Sequence, residues 1–209
     1  MHAADAPERS VELELKFDVG AGTPLPDLAS LPGIAAVSAP EPRELDSRYF
    51  DSEEYALGRA GYAVRRRTGG PDEGWHIKGP RDAEGARVEL HWPLGAEDGI
   101  PDAVTAAVAH VSVARLTFIA RIVNSRIAYH LFDERGGVVA EFVDDRVSAT
   151  DVRRDRSESW REWEFELGPA APADAEARRS LLGAATEAVA AVGGRVAASD
   201  SKLGRALGL

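Results

Sequence analysis

No cysteine occurs anywhere in the 209 residues. That excludes a disulfide scaffold, a thiolate metal site and a cysteine nucleophile. No apolar run approaches the roughly 18 residues that a membrane-spanning helix needs. The opening, MHAADAPERS, lacks the basic-then-apolar layout of a secretory leader, so a soluble, cytoplasmic protein is expected. Positive charge is scarce too. Lys and Arg number 25 against 35 Asp and Glu, a formal net charge of −10. Nucleic-acid binding wants a broad basic surface, so neither a nucleic-acid partner nor a membrane is expected. Three common site signatures are missing as well. GAG at Gly20–Gly22 has no P-loop lysine, the five histidines form no HExxH pair, and Ser125 and Ser201 have no evident base for a triad.

What the chain does hold is 44% hydrophobic residues, enough for a buried core in one good-sized domain. The reading is a single domain over 1–209. Residues 1–9 form a loose leader, 172–193 a C-terminal amphipathic helix, and 200–209 a basic tail. Segments with strand alternation include VELELKF, RELDSRYFDS, GYAVRRRT, GWHIKGP, ARVELHW, TFIARIVNSRIAYHLFD, GVVAEFVDDRVSA and WREWEFEL. PDAVTAAVAHVSV reads as a helix, a helical turn fits EEYALGRA, and the Gly- and Pro-rich stretch after Val19 admits at most a short helix around Asp27 to Leu31. No internal repeat appears. The class is α+β, dominated by antiparallel strands.

Parity along the strands separates charge from bulk. Glu12, Glu14 and Lys16 oppose Val11, Leu13, Leu15 and Phe17, while Glu162, Glu164 and Glu166 oppose Trp163, Phe165 and Leu167. Arg87, Glu89 and His91 share a face, as do His76 and Lys78, Arg65 and Arg67, and Arg126 and His130. A charged, solvated face is the ordinary explanation for one such strand. Here it recurs on at least five strands, with acids and bases in separate blocks and large aromatics opposite. A closed barrel with a charged lumen and an apolar outer face under helices satisfies both demands. Confined like charges are costly, and a polyanion bound with hard divalent cations resolves that cost. Triphosphate chemistry is what this pattern suits.

The same residues, in order, resemble the CYTH superfamily, also called triphosphate tunnel metalloenzymes. The matching motifs are E-x-E-x-K at Glu12, Glu14 and Lys16, SRYFD at Ser47 to Asp51, and R-x-R at Arg65 and Arg67. Lys78 in WHIKGP, Arg87 and Glu89 in RVE, Arg126 in RIVNSRIAY, the acidic turn of EFVDDRV, Glu162 and Glu164 in WREWEFEL, and Lys202 in SKLGRAL complete the set. The resemblance implies an eight-stranded antiparallel tunnel that hydrolyses a triphosphate group with one or two Mg²⁺ or Mn²⁺ ions. By that analogy Lys16, Arg65, Arg67, Lys78, Arg87, Arg126 and Lys202 bind substrate. Glu12, Glu14, Asp144, Glu162 and Glu164 bind metal, and Glu12, Glu14, Lys16 and Glu164 form the catalytic centre.

Asp144 and Glu141 lie on opposite faces of a regular strand, and Asp144 fits the family better. Arg121 rivals Arg126 but has the opposite parity; Glu166 flanks the site; Arg66 points outward. His76, His91 and His130 share the lumen parity in structural or rim roles. Inorganic triphosphate is favoured over thiamine triphosphate and nucleotides. The alternatives are a polyphosphate-binding module with little turnover and an adenylate cyclase. The expected assembly is a monomer or homodimer with a triphosphate or polyphosphate ligand.

Overall fold

A computed structural model describes residues 6–95 and 99–208 of the chain. The first alternating segment gives β1 (Glu8–Glu12) and β2 (Glu14–Asp18), one run interrupted only at Leu13. The remaining long strands are β4 (Glu41–Asp51), β5 (Ala63–Thr68), β6 (Gly74–Arg81), β7 (Arg87–Trp92), β8 (Thr117–Phe132), β9 (Val138–Asp151) and β10 (Arg156–Leu167). Two-residue strands β3 (Ala36–Val37) and β11 (Arg195–Val196) complete the sheet. Counting β1 and β2 as one run and setting the two-residue strands aside, eight antiparallel strands form the wall, as expected.

The hydrogen-bonded order runs β1-β7-β6-β5-β4-β8-β9-β10-β2-β11. That path has two ends, so the ladder itself is not closed. What wraps the sheet is the β1–β2 run, which pairs with β7 through its first half and with β10 through its second. Its inner face therefore meets both margins of the sheet: Glu12 and Glu14 pair with Lys78, Arg81 and Arg87 from one, and Lys16 pairs with Glu164 from the other.

Helices cover the outer, aromatic face. In α3 (Ala175–Ala191), Leu181, Ala185 and Val189 fall on one stripe and pack on Phe17, Phe142, Trp163 and Phe165. Asp174 starts that helix by accepting from the Ala177 N–H. The short α2 (Asp102–Val108) buries Val104 and Val108 against Trp75, Ile77 and Trp92. Burying each such aromatic is worth about 1.5–3 kcal/mol, which fixes which face turns inward. A single turn, α1 (Ala56–Arg59), follows β4.

Residues Lys202–Leu207 form a helix, α4, with the Ser201 hydroxyl accepting from the Gly204 N–H. Ala206 and Leu207 pack on the inward-facing Ile122 and Val147. At the other terminus, residues 1–5 of the expected leader lie outside the described residues, and β1 already includes Glu8 and Arg9. Leu209 is likewise outside them. Among the described residues no helix is long and apolar enough to cross a membrane.

Candidate active site and metal centre

The inner faces enclose a cavity of about 430 Å³. Parity places its lining: β2 contributes Lys16 directly opposite Glu164 of β10, and Glu14 stands opposite Glu166. Lys78 of β6 stands opposite Glu89 of β7 and Ala63 of β5. Eight cationic side chains and eight carboxylates line the space. The two signs are interleaved, so almost every charge is held by an opposite one.

Around Glu14, Lys16 donates at 3.0 Å, Arg81 donates at 3.1 Å, and Arg87 makes a direct ion pair. Burial raises the Glu14 carboxyl, but Lys16 and the other cations outweigh it and bring it down to about 2. Glu12 behaves oppositely. Burial pushes it up to about 8, helped by a hydrogen bond shared with Glu89, although Lys78 lies 2.5 Å away. Glu166 is likewise pushed up by burial, to about 7. Burial thus favours the protonated form of both acids, Glu12 more than Glu166.

The second cluster surrounds Lys202. Its Nζ lies 2.5 Å from Glu162, 2.7 Å from Glu164 and 2.9 Å from Asp145. Oxygens of these three buried acids lie within 4.8 Å of one another. Arg126 adds bidentate bonds to Asp145 at 2.7 Å and a contact to Glu164 at 2.9 Å, and Lys16 pairs with Glu164. Despite full burial, those cations hold the Glu164 carboxyl well below the usual range. An all-carboxylate oxygen set is the donor chemistry that a hard divalent cation takes.

Glu12, Glu14, Lys16, Arg65, Arg67, Lys78, Arg87, Arg126, Glu164 and Lys202 all line this space, and Glu162 sits beneath Lys202. Asp144 does not enter. Its register partner on β10 is Trp163, an outward residue, and its carboxylate forms a bidentate pair with Arg161 at 2.8 Å. Arg161 also binds the carbonyls of Gly20, Ala21 and Thr23, so Asp144 anchors the loop after β2. β9 has no bulge at this point, and the inner position belongs to Asp145, opposite Glu162 and Arg126. The strand's parity gives the same answer, because Glu141 lines the cavity and Val143 and Asp145 follow at steps of two.

Arg121 pairs with Asp46 on the outer surface, and Arg66 faces outward opposite Trp75. The three histidines line the cavity, with His76 bound to Glu89 and His130 to Glu141. Sequence reasoning missed Arg43, Arg81 and Asp72 besides Asp145. Arg43 shares the inward parity of Tyr49 and binds Glu141 at 3.1 Å.

Asp145→Asn is expected to lower turnover at least tenfold, and breaking its buried pair with Arg126 costs about 3–5 kcal/mol. Asp144→Asn is expected to leave turnover within twofold. Initial rates of the two variants, side by side, check this; equal losses would return Asp144 to the site.

A family model described as the CYTH domain matches residues 10–188. Two curated Mycobacterium tuberculosis proteins, the uncharacterized proteins MT2285 and Rv2226, are each 33% identical over 217 residues, which is 98% of this chain and 42% of theirs. The chain thus spans less than half the length of these relatives. Among solved structures, a Bacillus halodurans protein named as a candidate adenylate cyclase has a TM-score of 0.63 at 17% identity, covering 94% of this chain and 97% of its own. The Pyrococcus horikoshii protein PH1819 has a TM-score of 0.56 at 13% identity, covering 94% and 98%. At those identities the likeness shows the fold.

Proposed function

The chain belongs to the CYTH family, and on that premise we propose that it hydrolyses a triphosphate, inorganic tripolyphosphate before others, by water attack on the terminal phosphorus inside the cavity. The observation that carries this reading is the convergence of eight cationic and eight acidic side chains on one cavity. Phosphate oxygens are matched by Arg65, Arg67, Arg87 and Arg126, whose forked guanidiniums suit bidentate contacts, and by the ammoniums of Lys16, Lys78 and Lys202. Glu12, Glu14, Asp145, Glu162 and Glu164 would hold one or two Mg²⁺ or Mn²⁺ ions, which offset phosphate charge and ready a water.

The cationic side chains orient the chain of phosphates, and their charge stabilises the spreading charge of the in-line transition state. Among the lining residues the aromatic rings are Tyr49 and the imidazoles of His76, His91 and His130, with no Phe or Trp. Leu45, Ala63, Pro71 and Leu203 are the apolar members, Tyr49 is packed among Ile119, Val147 and Leu207, and His76 packs against His91 at 4.7 Å between ring centroids. That composition favours an inorganic substrate over a nucleotide.

The test is direct. Tripolyphosphate, ATP, thiamine triphosphate and long-chain polyphosphate are each incubated with Mg²⁺, Mn²⁺ or chelator, with phosphate and cyclic AMP as readouts. Phosphate release from tripolyphosphate, faster than from the others and abolished by chelator, is expected. Cyclic AMP as the main product, or tight binding without product, would overturn it.

A further inference from the structure

The turn between β5 and β6 closes one side of the cavity. Gly69 and Gly70 both adopt positive φ, 78° and 79°. A Cβ on Gly69 would lie 2.1 Å from the Glu44 carbonyl oxygen, so this turn is folded tightly against β4 and only glycine fits. The folding aims Asp72 back at the lumen. Its Oδ2 accepts from Arg67 Nη1 at 2.6 Å and lies 4.0 Å from Arg65 Nη2. The Asp72 side chain is 44% exposed, whereas those of Arg65 and Arg67 are 10% and 7% exposed. A solvent-facing carboxylate thus sits on two buried guanidiniums that would otherwise face the cavity.

The turn is also held from below. His76 Nε2 lies 2.8 Å from the Asp72 carbonyl oxygen, and Nδ1 lies 2.7 Å from Glu89 Oε1. Glu89 in turn takes Arg65 at 3.3 Å and Lys78 at 3.4 Å. A continuous polar chain therefore links the cavity wall to the backbone of the residue that covers the arginines.

We infer that Asp72 is an internal anion occupying the Arg65–Arg67 pair, which an incoming phosphate group must displace, and that His76 is the positioning residue that keeps it there. This rests on the polyanion reading of the cavity. A phosphate oxygen arriving at Arg67 replaces a contact that Asp72 already supplies, so a small monoanion gains little by entering. A tripolyphosphate meets Lys16, Lys78 and Arg126 at the same time and offsets the displacement. Asp72 therefore sets a threshold of charge and length that a ligand must meet before it binds.

Asp72→Asn keeps the side-chain volume and removes the competing charge. Binding is measured by calorimetry with tripolyphosphate and with orthophosphate, in chelator, alongside steady-state kinetics with Mn²⁺. The dissociation constant for tripolyphosphate is expected to fall about fivefold, the scale of one partly exposed charged contact. Orthophosphate displaces the same contact and gains by about the same factor, KM falls, and kcat stays within twofold. Glu187→Gln, on the exposed face of α3, removes the same charge at a distance and should change none of these. His76→Asn keeps a donor toward Glu89 but cannot reach the Asp72 carbonyl. It should lower KM as well, with no further gain in the double variant, because both act through one displacement. Unchanged affinity in Asp72→Asn, or an equal gain from Glu187→Gln, overturns the inference while leaving the triphosphatase reading intact. Failure of both wild type and Asp72→Asn to bind tripolyphosphate overturns the two together.

Discussion

Glu12→Gln is expected to abolish metal-dependent turnover and at the same time to raise the thermal stability of the protein. The activity loss should reach about 10³-fold, the scale of removing one preorganised electrostatic contact in an active site. Stability moves the other way because ionised Glu12 is disfavoured where it stands: burial and Glu89 outweigh Lys78 and push its carboxyl from an ordinary 4.5 up to about 8. The folded state thus holds a proton that the unfolded state has lost. The stability this confers is whole below about pH 4.5 and is lost as pH rises through about 8. Glu166, raised to about 7, adds the same slope over a narrower window. The wild-type melting temperature should therefore fall between pH 5 and pH 8, and Glu12→Gln should flatten that fall. At pH 8 the gain should be several degrees, since 1 kcal/mol corresponds to about 2–4 °C at this chain length.

Glu164→Gln should lose turnover equally but melt lower. Lys16, Lys202 and Arg126 hold Glu164 ionised, and the amide would leave three buried cations short of charge. The contacts thus separate the two replacements. Melting curves from pH 5 to 8 for both variants decide the matter, and a Glu12→Gln protein that melts below wild type at pH 8 would reverse the assignment of proton and partner.

Periodicity made most of this site readable. A period of two sorts Glu12, Glu14 and Lys16 from Leu15 and Phe17 with no knowledge of the fold, because successive side chains on a strand point to opposite faces. Arg65, Arg67, Lys78 and Glu164 follow by the same count. Where the resemblance favoured Asp144, the count from Glu141 leads to Asp145, and the coordinates agree with the count. Asp72 had no such signal. It lies in a turn, where the direction of a side chain depends on the positive φ of Gly69 and Gly70 and not on any repeat. The tail was opaque for a related reason. SDSKLGRAL is too short to show helical periodicity, and α4 is held by Ser201 and by Ala206 and Leu207 packing on residues more than fifty positions away. Local pattern finds the walls of the cavity; the turn and the tail are placed by tertiary contact.

Lys202→Met is expected to lower the melting temperature by about 10 °C in chelator and to let divalent metal restore most of it. Methionine keeps the length of the stem but removes the one ammonium shared by Asp145, Glu162 and Glu164. Removing one partner from a buried ion pair costs about 3–5 kcal/mol, and here three carboxylates lose it together. Arg126 and Lys16 still face Asp145 and Glu164, but among the described residues Glu162 keeps only the indole N–H of Trp160. Such a cluster of oxygens has a strong thermodynamic demand for a cation. Millimolar Mn²⁺ or Mg²⁺ should supply it, since a ligand at a hundred times its dissociation constant stabilises the folded state by about 2.7 kcal/mol. In the wild type the same metal should shift melting far less, because Lys202 already fills part of that demand. Potassium chloride at matched ionic strength should not reproduce the rescue. A variant that melts with wild type, or a metal shift of equal size in both proteins, would show that Lys202 and the divalent ion do not share these three carboxylates.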